Sequence, residues 1–354
     1  MHIKSLNLQN FRSWEKYHLD FNDITILIGP NGIGKTNIIE AIYLLATGRS
    51  WRTGRENEVI LWNQDFSRII AQINAQDKKS LEMILQRLAT LKFPQRKMIK
   101  INGVKKRLTQ LLGVVSIVLF SPEELQMVAG SPYLRRRSLD VLLCQADKKY
   151  TLALLDLGKI LRGRNKLLYY IKIGQSKVDE LAFWDEKLIT LGSFIIKKRQ
   201  GVIEKLDQKL RPIYEVISGE KESLKIKYLP SVQAKDFAQV LVSNREREIE
   251  NTATLFGPHR DDFIFLLEGR DLTTFGSRGE FRSAVLSLKM AELSFLKENG
   301  FEPILLLDDI FSELDQNRRL HLAAIVKDQQ TIITTTDLDH IEKGLREKAK
   351  IVEL

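Results

Sequence analysis

The sequence predicts an α/β fold in which a β-rich head is interrupted by an inserted helical lobe, and three observations carry it. Strand-like patterns dominate residues 1–120 and return after residue 254. A helical period rules between 121 and 250. The stretch ILIGPNGIGKTNIIEAI (26–42) carries an apolar strand through a glycine-rich turn directly into a helix. The expected division is 1–120 for the first part of the head, 121–250 for the helical arm and 251–354 for the remainder of the head.

Taken in order, Ile3, Leu6 and Leu8, then Tyr17, Leu19 and Phe21, read as a hairpin. DITILIG (23–29) is a buried strand, followed by a helix over 36–46. SRIIAQINA (67–75), SLEMILQRL (80–88) and RKMIKINGVKKRL (96–108) read as antiparallel strands, with Asn102-Gly103 as a hairpin turn. SIVLF (116–120) is a further short buried strand. In the arm, Leu188, Leu191, Ile195, Val202, Leu206, Leu210, Ile213 and Ile217 recur at helical steps, and 131–171, opened by Ser131-Pro132, reads as a partner helix. Helices of about 30 residues project roughly 45 Å, an arm and not a long coiled coil. DDFIFLLEGRDL (261–272) then reads as a hairpin, followed by a helix (280–298), the strand ILLLDD (304–309), a helix near 316–328, the strand TIITTTD (331–337), and a last short helix and strand.

Apolar residues make up 44% of the 354-residue chain and charged residues 28%, which supports a real core and excludes a disordered chain. Lys and Arg number 55 against 45 acidic residues, a net charge of +10 that suits either a soluble surface or a polyanionic partner. A single cysteine, Cys144, rules out an internal disulfide framework and reads as a small core residue. The N-terminus lacks a signal-peptide pattern, and no apolar run approaches the ~20 residues of a membrane span, so a cytoplasmic protein with no membrane partner is expected.

Gly29, Pro30, Asn31, Gly32, Ile33, Gly34, Lys35 and Thr36 match G-x-x-x-x-G-K-[ST] between strand and helix, the context that a phosphate-binding loop requires. Glycines let backbone N–H groups curl around phosphates at a helix N-terminus. Lys35 is expected to reach the β- and γ-phosphates of ATP and Thr36 to ligate Mg²⁺, with Asn37 beside them. A second metal anchor belongs at the end of a neighbouring strand, and ILLLDD supplies two acids there. Asp308 is expected to hold the ion, and Asp309 to orient or deprotonate the attacking water.

Phe275-Gly276-Ser277-Arg278-Gly279-Glu280 opens a helix about 25 residues before the acidic strand and resembles the signature motif of ABC-type ATPases, with Ser277 and Gly279 as its nucleotide-facing residues. Ser312-Glu313-Leu314-Asp315 resembles the D-loop of the same superfamily. The resemblance implies a P-loop NTPase head of ABC type, in which ATP is sandwiched between two copies of the chain. NFRSW (10–14), SPEELQMVAGSPYLRRRSLD (121–140), GPHRDD (257–262), LLLDDIFSELD (305–315) and ITTTD (333–337) extend it end to end, so that the chain resembles the RecF family of bacterial recombination-mediator ATPases, related to the heads of Rad50 and SMC proteins.

That resemblance implies DNA repair, replication-fork maintenance, and homodimerisation on ATP at double-stranded or gapped DNA. It also implies partnership with RecR and RecO and, through them, loading of RecA. It places Arg12 near the nucleotide phosphates. Thr336 stands where transporter ATPases place a switch histidine, which implies slow hydrolysis, and the glutamine expected at the end of SIVLF is not at that place, where Ser121 and Glu123 stand with Gln126 farther on, leaving the role of that loop open. His259 to Asp262 reads either as a functional element or as a salt-bridged turn. Candidate phosphate contacts for DNA are Arg135, Arg136, Arg137, Lys197, Lys198 and Arg199, each cluster reading equally as a solvated face. A transporter subunit, a chromosome clamp of SMC type and a nuclease are the competing classes. They are disfavoured by Thr336, by the short arm, and by the lack of a surplus acidic cluster, respectively.

Overall fold

The computed structural model describes residues 2–74, 78–87 and 97–354, so Ala75, Leu88 and Arg96, at the ends of three expected strands, lie outside the described residues. The strands are β1 (His2–Phe11), β2 (Trp14–Asp20), β3 (Ile24–Ile28), β4 (Phe66–Asn74), β5 (Lys79–Gln86), β6 (Lys97–Ile101), β7 (Val104–Lys106), β8 (Ile117–Phe120), β9 (Leu224–Leu229), β10 (Asp262–Leu267), β11 (Arg270–Asp271), β12 (Ile304–Asp308), β13 (Thr331–Thr335) and β14 (Lys350–Glu353). They fall into two compact units, one of residues 1–125, 213–221 and 285–354, the other of 126–212 and 222–284.

The first unit contains two sheets. β2-β1-β4-β5-β6-β7 is antiparallel throughout, and its last hairpin turns at Asn102 and Gly103, both at positive φ, as the Asn-Gly signal requires. β14-β3-β13-β12-β8 is parallel. Its central strands are buried on both faces, the pattern of a sheet covered on both sides. The helix Lys35–Thr47 leaves β3 and packs on strands of both sheets, with Ile38, Ile39, Ala41, Ile42, Leu44 and Leu45 all buried. A helix apolar around most of its circumference has to be internal. Burying it fixes the glycine turn that starts it.

The second unit is mostly helical, with Pro132–Ala146, Lys148–Lys172 and the greater part of Leu181–Ser218 as its long elements. The single partner helix expected over 131–171 is instead two. Asp147 stops the first and caps the second, its Oδ1 accepting from Lys149 N (2.8 Å) and Tyr150 N (3.1 Å). The arm is also not helical throughout 121–250. LKIKYL forms β9 with Leu224 and Ile226 inward, paired antiparallel to β10 in the three-stranded sheet β11-β10-β9. That pairing is why the second unit extends to Ala284, past the boundary expected after residue 250. Cys144 is half-buried and not a core residue.

Charged groups hold this unit together internally. Arg164, fully buried on Lys148–Lys172, donates to Asp185 Oδ1 (2.8 Å), Glu248 Oε2 (2.6 Å) and Thr254 Oγ1 (2.9 Å). Removing one partner of such a cluster strands the others in a low-dielectric interior, at a cost of about 3–5 kcal/mol. Arg164→Met is therefore expected to destabilise the second unit by that amount in urea unfolding followed by circular dichroism. A loss below about 1 kcal/mol would contradict the assignment of the cluster as a structural anchor.

Candidate nucleotide site

The turn after β3 has the backbone that its glycines allow. Gly34 sits at φ 116° as the residue before the helix, and a side chain there would meet the Trp14 ring at 2.8 Å. Trp14 stacks on Tyr17 (4.2 Å between centroids) and supports the loop from behind, its Nε1 donating to Gly34 O (3.4 Å). Lys35 is 6% exposed, and its Nζ donates to Gly29 O (2.7 Å) and Pro30 O (3.0 Å), so the ammonium lies across the loop's own carbonyls. Burial pushes its pKa down, against the opposing pull of Asp309 and Asp308. Asn31, Gly32 and Ile33 form the exposed tip of the loop.

Thr36 and Asp308 meet across an intervening strand. Thr36 Oγ1 donates to Asp308 Oδ1 (2.9 Å), and Thr334 Oγ1 on β13, which pairs with both β3 and β12, donates to the same oxygen (2.7 Å). Burial raises the Asp308 pKa, the two hydroxyls lower it, Glu123 raises it through space and Arg52 lowers it. Asp309 follows in a left-handed conformation (φ 50°, ψ 26°) that non-glycine residues rarely adopt. Its backbone N–H is fixed by Thr334 Oγ1 (2.9 Å), while its own Oδ1 is buried without a hydrogen-bond partner in the structure.

These features fit Mg²⁺ and a triphosphate. A hydroxyl and a carboxylate converge at one place, a strained acid beside them has an unsatisfied oxygen, and a glycine turn opens a helix. Among the described residues no cluster of three or more acids, histidines or cysteines forms a dedicated cage. Mg²⁺ is suited by that donor set, because it takes one or two protein oxygens together with substrate phosphate and water.

Arg12, expected near the phosphates, is paired with Glu40 on the first helix. Its Nε and Nη2 donate to the Glu40 carboxylate (2.9 and 2.6 Å) and its Nη1 to Glu58 O (2.9 Å), because a fully buried Glu40 on the first helix requires cationic partners. Glu40 also accepts from Ser50 (2.5 Å) and from Arg52 Nη1 (3.1 Å). Arg52 in turn donates to Asn37 Oδ1 (2.9 Å), and Asn37 Nδ2 donates to Ser13 Oγ (3.0 Å). Thus Arg52, Trp14 and Thr334 belong to this site, although Trp14 within NFRSW and Thr334 within ITTTD carried no role of their own in the sequence. Arg52 lies in no motif, and the other two act through spatial contacts that no linear pattern encodes.

The signature residues Ser277 and Gly279 belong to the second unit. Ser277 Oγ accepts from Glu280 N (3.2 Å) while Glu280 Oε2 accepts from Ser277 N (2.5 Å), a reciprocal capping box on the helix Arg278–Glu298. Ser277 is exposed, as is Phe275 (71%) beside it. In the stretch that resembles a D-loop, Ser312 Oγ donates to Asp309 O (2.7 Å), and Asp315 accepts from Arg318 N (3.0 Å) to cap the next helix.

Several of the expected DNA contacts turn inward. Arg135, 7% exposed, forks onto Asp262 (2.7 and 2.9 Å) and donates to three carbonyls, those of Met127, Val128 and Gly130. Arg199, 2% exposed, donates to Asp140 (2.8 Å), Pro258 O (2.5 Å) and Tyr150 Oη (3.0 Å), and lies 3.4 Å from Asp261. Arg136 is half-buried and donates to Asp261 O (2.5 Å). Consecutive residues on a helix point to different faces, so a basic triplet cannot present all its members to one ligand. The GPHRDD turn is accordingly a salt-bridged structural element. Lys197 is exposed, Arg137 half-buried, and Lys198 pairs with Asp147 at 2.7 Å.

Burial of Asp308 sets a testable sign. A carboxyl with a raised folded-state pKa stabilises the fold in its protonated form below its unfolded pKa of about 3.9, and that contribution is lost as pH rises. Asp308→Asn keeps an oxygen for both threonine hydroxyls while removing the charge. At neutral pH without metal it should raise the melting temperature by about 2 °C, while abolishing the stabilisation by Mg²⁺ and ATP. A fall in the metal-free melting temperature would contradict this account.

The RecF/RecN/SMC N terminal domain family matches residues 2–353. The DNA replication and repair protein RecF of Agathobacter rectalis is 39% identical over 348 residues, covering 97% of this chain and 94% of that protein. The RecF of Halalkalibacterium halodurans is 39% identical over 370 residues, covering 100% and 98%. Among solved structures, that of the recombination mediator protein RecF-ATP in the RecFOR pathway superposes with a TM-score of 0.88 at 34% identity, covering 96% of this chain and 93% of that one. A Pyrococcus furiosus Smc head domain superposes with a TM-score of 0.54 at 18% identity, a likeness of fold alone. With the family pattern spanning residues 2–353 and relatives 39% identical over nearly the whole chain, this protein belongs to the RecF family.

Proposed function

We propose that this chain is an ATP-dependent DNA-binding protein of recombinational repair and replication-fork maintenance, in which ATP joins two copies of the chain on double-stranded or gapped DNA. The observation that carries the reading is the convergence of Thr36 and Thr334 on one oxygen of a buried Asp308, beside the strained Asp309. The likeness to a RecF-ATP structure supports the same ligand.

In this reading the loop 29–34 wraps the β- and γ-phosphates with backbone N–H groups, and Lys35 leaves the carbonyls of Gly29 and Pro30 to neutralise them. Thr36 and Asp308 hold Mg²⁺, which supplies charge neutralisation across the phosphates when bound. Asp309, its backbone fixed by Thr334, orients the attacking water and accepts its proton, giving ADP and phosphate. Ser277 and Gly279 of one copy seal the triphosphate held by the other, a role suited to an exposed serine at a helix start. A threonine at position 336 in place of a histidine suits slow, DNA-stimulated hydrolysis serving as a switch.

DNA is held through phosphates by exposed cations, Lys197 among them, whereas Arg135 and Arg199 serve the fold. RecR, with RecO, and indirectly RecA are the protein partners in this reading, which places the chain in the cytoplasm at the nucleoid. No helix among the described residues is long and apolar enough to cross a membrane.

Sedimentation with ATP, Mg²⁺ and a gapped duplex tests the proposal. The wild type is expected to dimerise, Lys35→Met to remain monomeric, and Asp309→Asn to form a long-lived dimer with hydrolysis reduced about 100-fold. A wild type that stays monomeric at saturating nucleotide and DNA would refute the reading. For the DNA surface, Lys197→Ala should reduce the slope of log affinity against log salt by about 1. An unchanged slope would remove Lys197 from the interface.

A further inference from the structure

We infer that Glu123 makes nucleotide binding by this head conditional on magnesium, as an anion beside the metal position that discriminates against the metal-free triphosphate. The inference rests on the ATP-binding reading above and assigns a role to the turn after β8.

β8 and β12 are parallel neighbours with Phe120 opposite Leu307, so Ser121 and Asp308 leave the sheet side by side. Ser121 is fully buried, and its hydroxyl has no hydrogen-bond partner in the structure. The 3₁₀ turn Pro122–Leu125 then presents Glu123 to solvent, close enough to Asp308 for its charge to be felt there. The next residue anchors the turn. Glu124 Oε2 lies 2.5 Å from the Nζ of Lys289, which is 5% exposed and also 3.2 Å from Glu292 Oε2. One buried ammonium between two carboxylates ties the turn to the helix Arg278–Glu298, because breaking such a group leaves an uncompensated interior charge. The backbone that carries Glu123 is therefore held at the end of β8.

The electrostatic consequence follows directly. Asp308, Asp309 and Glu123 gather three negative charges near one end of the phosphate site, with Lys35 and Arg52 as the cations acting on it. A fully ionised triphosphate is repelled by that set, whereas the same triphosphate with Mg²⁺ bound carries less charge and places a dication among the carboxylates. Glu123 widens the difference between the two ligands without contributing an acid to a metal cage.

Equilibrium binding of a fluorescent ATP analogue, in excess Mg²⁺ and in EDTA, tests this directly. Glu123→Gln is expected to tighten metal-free binding about fivefold while changing binding with Mg²⁺ by less than about twofold. Glu123→Asp should retain the wild-type ratio. Parallel weakening in both conditions, or an unchanged ratio in Glu123→Gln with an unaltered melting temperature, overturns the inference alone. Failure of the wild type to bind with Mg²⁺ overturns the ATP-binding reading and this inference with it.

Discussion

One carboxylate oxygen organises the head. Asp308 Oδ1 accepts from Thr36 and from Thr334, which couples the phosphate loop, the acidic strand and the strand between them. The contact exists only because β13 separates β3 from β12 in a parallel sheet, so that three strand ends release their chains at one edge. Parallel order in turn requires crossovers that cover the sheet, and the helix Lys35–Thr47 is one of them, buried between two sheets. Burial makes an ionised Asp308 costly, and the two hydroxyls offset that cost only in part, since its pKa remains raised. A divalent cation at this position would relieve what the fold leaves unsatisfied.

The second unit uses charge differently. The chain carries an excess of cations, and a simple reading sends them all to a polyanion. Arg135, Arg164 and Arg199 instead lie inside, each bound to carboxylates and to backbone or hydroxyl oxygens. The planar guanidinium suits this role, because its fork of donors can satisfy several acceptors at once. Tyr150 and Tyr228 extend the network, donating to Asp140 and Asp261, and burial beside these carboxylates pushes both phenol pKa values up. Each of these arginines is matched by at least one carboxylate, so the clusters withdraw particular cations from a DNA-facing surface without lowering the net charge of +10.

Much of the head was legible in the sequence because its signals are local. The Asn102-Gly103 hairpin, the phosphate loop and the apolar strands ending in Asp308 each rest on a handful of adjacent residues whose backbone or burial requirements are narrow. The same local reasoning failed where two signals competed. The helical period of 131–171 runs unbroken through Asp147, but a side chain that satisfies two backbone donors outweighs continuity. LKIKYL lies inside the stretch 121–250 where the helical period dominates, and its pairing with β10 is what marks it as a strand. Arg12 was legible as important but not in its partner, since Glu40 lies 28 positions away and reveals its burial only in three dimensions. Arg52 escaped notice for the same reason, and so did the contacts of Trp14 and Thr334.

The central claim is that the turn between β3 and its helix holds phosphate while Asp308 anchors the ion beside it. Hydrogen–deuterium exchange of the full chain, with and without ATP and Mg²⁺, measures it most directly. The account predicts slowed exchange confined first to the amides of residues 31–36 and to the Asp308–Asp309 turn, and only when nucleotide and metal are both supplied. Unchanged exchange across 31–36 at saturating ATP and Mg²⁺, with protection arising elsewhere in the chain, would contradict it.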